Sequence, residues 1–185
     1  MKTKVVLFGV SNVGKTTIGK VLADKLGYSF YDTDYEVTLR LGLTIEKFIK
    51  SMSHVKRDET RRRIIDDILM RDEDLVMAVT PLTYTGDLNT ELDSPGIVPI
   101  ELYDTPYHIF QRLIFSDEND NTYTDDKYKN KHKTRYMKEI REDLKYYGAI
   151  NASLGAVRFN INNDSPDKAA ERIIEEFSLK AGQTT

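Results

Sequence analysis

Gly9-Val10-Ser11-Asn12-Val13-Gly14-Lys15-Thr16-Thr17 has the spacing G-x-x-x-x-G-K-[ST]. Residues 4–10 just before it are a short apolar run rich in β-branched side chains, which predicts a buried strand. After it, Val13, Ile18, Val21, Leu22 and Leu26 recur at helical spacing, and Gly27 suits the C-terminal cap. Strand, glycine-rich turn and helix are the context this phosphate loop requires. Its physics is specific. Gly9 and Gly14 permit backbone angles and close approaches that a Cβ would block. Successive N–H groups of residues 9–17 then surround a phosphate at a helix N-terminus. Lys15 is expected to reach the β- and γ-phosphates of ATP, and the Thr16 hydroxyl to ligate Mg²⁺. Gly9, Ser11, Asn12, Val13, Gly14, Lys15, Thr16 and Thr17 are therefore the expected nucleotide-binding residues.

The rest of the chain repeats the strand–helix alternation. Residues 28–32, 75–80, 97–103 and 156–161 read as further short strands. Within residues 97–103 Pro99 cannot donate to a ladder, so regular pairing is expected from Ile100, or a bulge at Pro99. Residues 43–71 have a helical period with a break near 51–54. Residues 83–96 read as loop. Thr105-Pro106 and Ser165-Pro166 each supply an N-cap and a first-turn proline, predicting helices over 106–115 and from 166 onward. Alternation at this length predicts one parallel sheet with helices on both faces, in a single domain spanning residues 1–185. Residues 116–135 contain no aliphatic side chain, so they cannot form core and are expected to be a mobile lid or a solvated loop.

Composition narrows the function. The 185 residues include no cysteine, which removes disulfides, thiolate metal sites and cysteine nucleophiles together. No apolar run is long enough to span a bilayer and no signal-peptide pattern opens the chain, so a cytoplasmic location is the simplest expectation. A net charge of −3 argues against broad binding to duplex nucleic acid, and no membrane partner is expected. His54, His108 and His132 lie far apart, without metal-ligand spacing.

Phe30-Tyr31-Asp32-Thr33-Asp34 places two carboxylates at the carboxyl edge of the second strand, beside the phosphate loop. An Asp there can also serve only as the cap of the following helix, a reading left open for Asp34. Residues 9–34 resemble the opening of the shikimate kinase family: phosphate loop, helix, then F-x-D-T-D. The resemblance extends to Ile18-Gly19, Leu22-Ala23 and Leu26-Gly27. It implies a three-layer α/β/α P-loop NTPase fold with five parallel strands in the order 2-3-1-4-5. It also implies that Asp32 serves Mg²⁺ through water, and that Asp34 binds the substrate hydroxyls and assists deprotonation of the attacked one.

Further along, the resemblance is patchier. The family's F-R-x-x-E, whose Arg meets the substrate carboxylate, corresponds to Val55-Lys56-Arg57-Asp58-Glu59, leaving Lys56 or Arg57 as the cation. Five of the eight residues 56–63 are basic, so most must face solvent. The family's Gly-Gly-Gly turn after the third strand is replaced by Val79-Thr80-Pro81-Leu82, which removes a donor and fills space. Arg112 resembles the Arg that stacks on adenine, residues 162–166 with Pro166 resemble the adenine loop, and Arg141 resembles an Arg that binds the substrate carboxylate. The lid R-P-L-L is absent, leaving Lys127, Lys129, Lys131 or Arg135 as its substitute. The expected function is an ATP- and Mg²⁺-dependent kinase, monomeric, acting on a hydroxyl of shikimate or a shikimate-like hydroxy acid. Alternatives are a kinase for another small acceptor (a sugar or gluconate-like acid) or a non-catalytic ATP-binding module.

Overall fold

In the computed structural model, which describes residues 1–182, the strand before the phosphate loop, β1 (Lys4–Phe8), lies at the centre of a five-stranded parallel sheet. The chain continues through α1 (Lys15–Leu26), β2 (Ser29–Asp32), α2 (Thr33–Leu41), α3 (Ile45–Ser51), α4 (His54–Leu69) and β3 (Leu75–Ala78). Then come α5 (Leu88–Leu92), β4 (Ile97–Tyr103), α6 (Pro106–Gln111), a small antiparallel hairpin of β5 (Phe115–Ser116) and β6 (Thr122–Tyr123), and α7 (Asp126–Lys131). A long helix α8 (Lys133–Ser153), β7 (Val157–Asn160) and α9 (Pro166–Glu176) complete it. The main sheet runs β2-β3-β1-β4-β7, all pairs parallel. Counting only its own strands, that is the expected order 2-3-1-4-5; the hairpin shifts the label of the last.

β1 shows why both faces must be covered. Val5 and Leu7 point into one core with Ile18 and Leu22 of α1, Phe110 of α6 and Ile173 of α9. Val6 and Phe8 point the other way, onto Phe48 of α3, Ile65 and Ile68 of α4 and Leu88 of α5. A strand apolar on both sides needs helices on both sides, and three layers follow.

Local signals set the ends. Gly27 and Gly42 end α1 and α2 in the left-handed conformation. Thr44, Ser53, Thr105 and Ser165 cap α3, α4, α6 and α9 through their hydroxyls. The break between α3 and α4 falls where the helical period lapses.

Four expectations are corrected. β4 runs unbroken through Pro99, which pairs opposite Val6. Gly96 accepts from Lys4 N–H, so even-numbered backbone groups face β1 and Pro99 N faces away, where β7 pairs only from Ile100 onward. Residues 83–96 contain the short helix α5, whose Leu88 and Leu92 are buried. α6 ends at Gln111, because Phe115 leaves to form β5. Residues 116–135 hold a strand, α7 and the start of α8.

Gly9 has φ +135, and a Cβ there would collide with the Leu102 carbonyl oxygen of β4. Gly9→Ala is expected to destabilise the protein by about 2 kcal/mol or more, the scale of one forced backbone conformation plus a steric shift. A urea titration reads this as a lower midpoint at unchanged slope.

Candidate active site

The turn from β1 into α1 leaves the first helical N–H groups of α1 without any side-chain cap, and no acidic residue occupies its first turn. A twelve-residue helix with an uncapped N-terminus at the carboxyl edge of a parallel sheet is an anion site by construction. Asn12 adopts φ 59, and its Oδ1 accepts from Ile114 N–H at 3.2 Å, fixing the chain after α6 against the loop. Lys15 Nζ donates to the carbonyls of Gly9 (2.8 Å) and Val10 (2.9 Å). Removal from water pushes the Lys15 ammonium down to about 8; nearby Asp32 and Asp34 pull the other way without prevailing.

Asp32 joins two helices. Its Oδ2 accepts from the Thr16 hydroxyl at 2.6 Å, and its Oδ1 accepts from the N–H groups of Asp34 (3.0 Å) and Tyr35 (3.3 Å). The cap of α2 is therefore Asp32, while Asp34 sits within the first turn with its carboxylate on the Arg61 guanidinium at 3.0 Å. Lys15, Thr16, Asp32 and Asp34 line one cavity of about 290 Å³, with Thr80 and Pro81 and with Phe115, Ser116 and Thr122 of the hairpin also in its lining. Thr16 and Asp32 offer two hard oxygen donors beside Lys15. That suits Mg²⁺, which takes few protein ligands and completes its shell with phosphate and water. Among the described residues no cluster of three or more His, Cys, Asp or Glu could hold a metal by itself.

The acceptor side differs from expectation. Lys56 is exposed, whereas Arg57, Asp58 and Arg61 form the buried face of the N-terminal half of α4. The Nε of Arg57 has no hydrogen-bond partner. Of the two cations left open by the sequence, Arg57 is the buried one and Lys56 the exposed one. Thr33 Oγ1, fully buried, accepts the Thr80 N–H at 2.9 Å, and Pro81 has none to give. Asp58 takes the N–H groups of Thr83 (2.9 Å) and Tyr84 (3.0 Å). At Thr80 the backbone donor is thus engaged, and at Pro81 it is absent. Arg141 lies exposed on α8 and lines neither this cavity nor the neighbouring one bounded by Ser11, Tyr136 and Asp143.

Asp104, which sequence reasoning missed, organises the opposite end. It is 3% exposed and accepts from Arg112 Nη2 (2.6 Å), Thr105 N–H (2.7 Å) and Asn163 N–H (3.2 Å), and it contacts His108 Nδ1 at 2.7 Å. Burial opposes its ionisation, but Arg112, His108 and the Thr105 N–H outweigh it and hold the carboxyl below the usual range. One carboxylate thereby brings Arg112 and the loop leading to Pro166 together. A lone acid between an apolar strand and Thr-Pro carries no pattern by which the sequence could have marked it.

The cations of residues 116–135 do not line the phosphate cavity. Lys129 is buried against α6, its Nζ reaching the Gln111 carbonyl at 3.3 Å and Asp126 at 2.8 Å. Arg135 pairs with Glu139, and Lys127 and Lys131 are exposed. No helix among the described residues is long and apolar enough to cross a membrane.

A phosphate loop opening a three-layer parallel sheet, with two carboxylates at the end of the neighbouring strand, defines a P-loop kinase. The shikimate kinase family model matches residues 11–178, and the chain belongs to that family. It is 30% identical over 172 residues to the shikimate kinase of Caldicellulosiruptor bescii, covering 92% of each chain. It is 31% identical over 178 residues to that of Caldicellulosiruptor saccharolyticus, covering 95% of this chain and 96% of the other. The crystal structure of the Bacteroides thetaiotaomicron shikimate kinase superposes with a TM-score of 0.77 at 20% identity, covering 96% of this chain and 99% of that one. The solved structure of the Acinetobacter baumannii shikimate kinase in complex with shikimate gives a TM-score of 0.70 at 22% identity, covering 96% of this chain and 94% of that one. The protein is accordingly an ATP-binding kinase, a phosphotransferase acting on a hydroxyl group.

With Lys15 near 8, the free protein loses this positive charge as pH rises through 8, while bound phosphates favour the charged form. ATP binding is expected to be flat below about pH 7. Above pH 8 it should weaken by up to about tenfold per pH unit, with proton uptake on binding. Calorimetry in buffers of different ionisation enthalpy measures that uptake, and Lys15→Met should abolish it.

Proposed function

We propose that the protein transfers the γ-phosphoryl group of ATP to a hydroxyl of shikimate or a shikimate-like hydroxy acid. The observation that carries this is the single cavity in which Lys15, Thr16, Asp32 and Asp34 converge under the hairpin. In the reaction an acceptor oxygen forms a bond to γ-phosphorus, the bond to the β,γ-bridging oxygen breaks, ADP leaves, and the acceptor hydroxyl proton is released. Asp34 accepts that hydroxyl's hydrogen bond and assists removal of its proton. Lys15 moves its charge from the Gly9 and Val10 carbonyls to the phosphates, countering the charge that grows there. Thr16 and Asp32 would hold Mg²⁺, which when bound would supply further neutralisation of phosphate charge. The N–H groups of residues 9–17 orient the phosphates, and Arg112 with the loop before Pro166 borders the base. The α4 cation assigned here to an acceptor carboxylate is Arg57, the buried one of Lys56 and Arg57.

Residues 116–135 contribute a lid. The hairpin is pinned at one end by Asn12 to Ile114 N–H, and at its tip by Asp120 Oδ2, which accepts Ile45 N–H at 2.8 Å. Held so, it excludes water from the transferring phosphoryl group. The engaged backbone at Thr80 and the missing donor at Pro81 favour a second reading, in which the same chemistry serves another small hydroxylated acceptor.

Purified protein with ATP and Mg²⁺ should release ADP in a shikimate-dependent manner, and Lys15→Ala should lower this at least about 100-fold. No stimulation by shikimate, with ATP binding intact, would transfer the assignment to another acceptor. Asp120→Ala should raise ADP release without acceptor several-fold relative to transfer, because it frees the hairpin tip. A coupled assay with and without shikimate separates the two rates.

A further inference from the structure

The buried residues at the start of α4 are Arg57, Asp58 and Arg61. Two adjacent positions followed by a third three residues on is the spacing of F-R-x-x-E. In this register Asp58 stands where that motif has its Arg, and Arg61 stands where it has its Glu. The ion pair is present with its signs exchanged. Arg61 Nη1 lies 3.7 Å from Asp58 Oδ1, and both side chains are under a tenth exposed.

The exchanged pair does different work from a carboxylate receptor. Asp58 Oδ2 accepts the Thr83 and Tyr84 N–H groups, so it braces the loop after β3. Arg61 Nη2 reaches across to Asp34 Oδ1 at 3.0 Å, and its guanidinium lies over the Phe48 ring at 5.2 Å from the centroid. The contacts run from the Thr83–Tyr84 backbone to Asp58, to Arg61, to Asp34. They join three elements: the loop after β3, α4 behind the cavity, and α2, whose Asp34 lines it. A planar guanidinium stacked on a ring and charged to carboxylates on both sides has little rotational freedom.

We propose that Arg61 is the positioning residue for Asp34, fixing the carboxylate that meets the acceptor hydroxyl, and that position 58 gives no cation to an acceptor carboxylate. This rests on the reading of Asp34 as an acceptor-binding residue.

The test combines kinetics with a measurement that needs no acceptor. Arg61→Gln should raise the KM for shikimate at least tenfold while leaving the ATP Kd within twofold. Arg61→Lys, which keeps the charge but not the fork, should recover part of the loss. In thermal unfolding without ligands, Asp34→Asn and Arg61→Gln should be non-additive, the double variant melting close to the more damaged single one. An unchanged acceptor KM in Arg61→Gln, an equal loss of ATP affinity, or additive Tm shifts would each overturn the proposal. If Arg61→Gln does not fold, Arg61→Lys carries the kinetic test, with a several-fold rise in acceptor KM expected and no rise overturning it. If the wild-type protein does not turn over shikimate, the acceptor reading fails, and the Tm cycle alone decides whether Arg61 holds Asp34.

Discussion

One carboxylate, that of Asp32, ties the nucleotide side of this protein to its acceptor side. Its two oxygens face different helices: Oδ2 takes the Thr16 hydroxyl at the start of α1, and Oδ1 caps α2. A cap of this kind contributes about 1 kcal/mol, but its structural effect exceeds its energy. Because α2 starts where Asp32 caps it, Asp34 falls in the first turn and faces the cavity. Because Thr16 is held by the same group, the phosphate loop and the acceptor wall cannot shift independently.

The sheet was legible in the sequence because its central strands β1 and β3 are apolar on both faces and α6 and α9 open on Thr-Pro and Ser-Pro. The phosphate loop was legible because two of its glycines are dictated by geometry that no other residue adopts without strain. Other parts had no local signal. The helical period of residues 133–153 was hidden because α8 buries few of its residues, Ile140 and Asn151 among them, and shows a mostly polar sequence. The register at 55–61 was read from motif letters, whereas the structure sets it by burial. Charge reversal leaves burial intact and changes every letter that a motif match relies on. Asp104 is a third case: a lone acid has no pattern, and its four contacts come from segments up to 59 residues apart.

On the acceptor side, polar satisfaction explains how the glycine turn could be replaced. Thr33 is buried at the top of α2 and accepts the Thr80 N–H that would otherwise need a ligand or water. Proline at 81 removes the next donor, and Asp58 collects the two at 83 and 84. The N–H groups of Thr80, Thr83 and Tyr84 thus all find partners within the protein. The loop is consequently ordered by the protein's own side chains.

The buried Asp58–Arg61 pair also bears on how such a site changes over generations. Passing between Arg/Glu and Asp/Arg at these two positions requires both residues to change. Every single-step intermediate on that path places like charges three residues apart on a buried helix face, or leaves one charge without its counterpart. Either state costs several kcal/mol, a large part of a domain's whole stability. The two arrangements are separate peaks divided by a valley of less stable sequences. A chain on one of them can drift in its surface residues while its acceptor wall stays fixed.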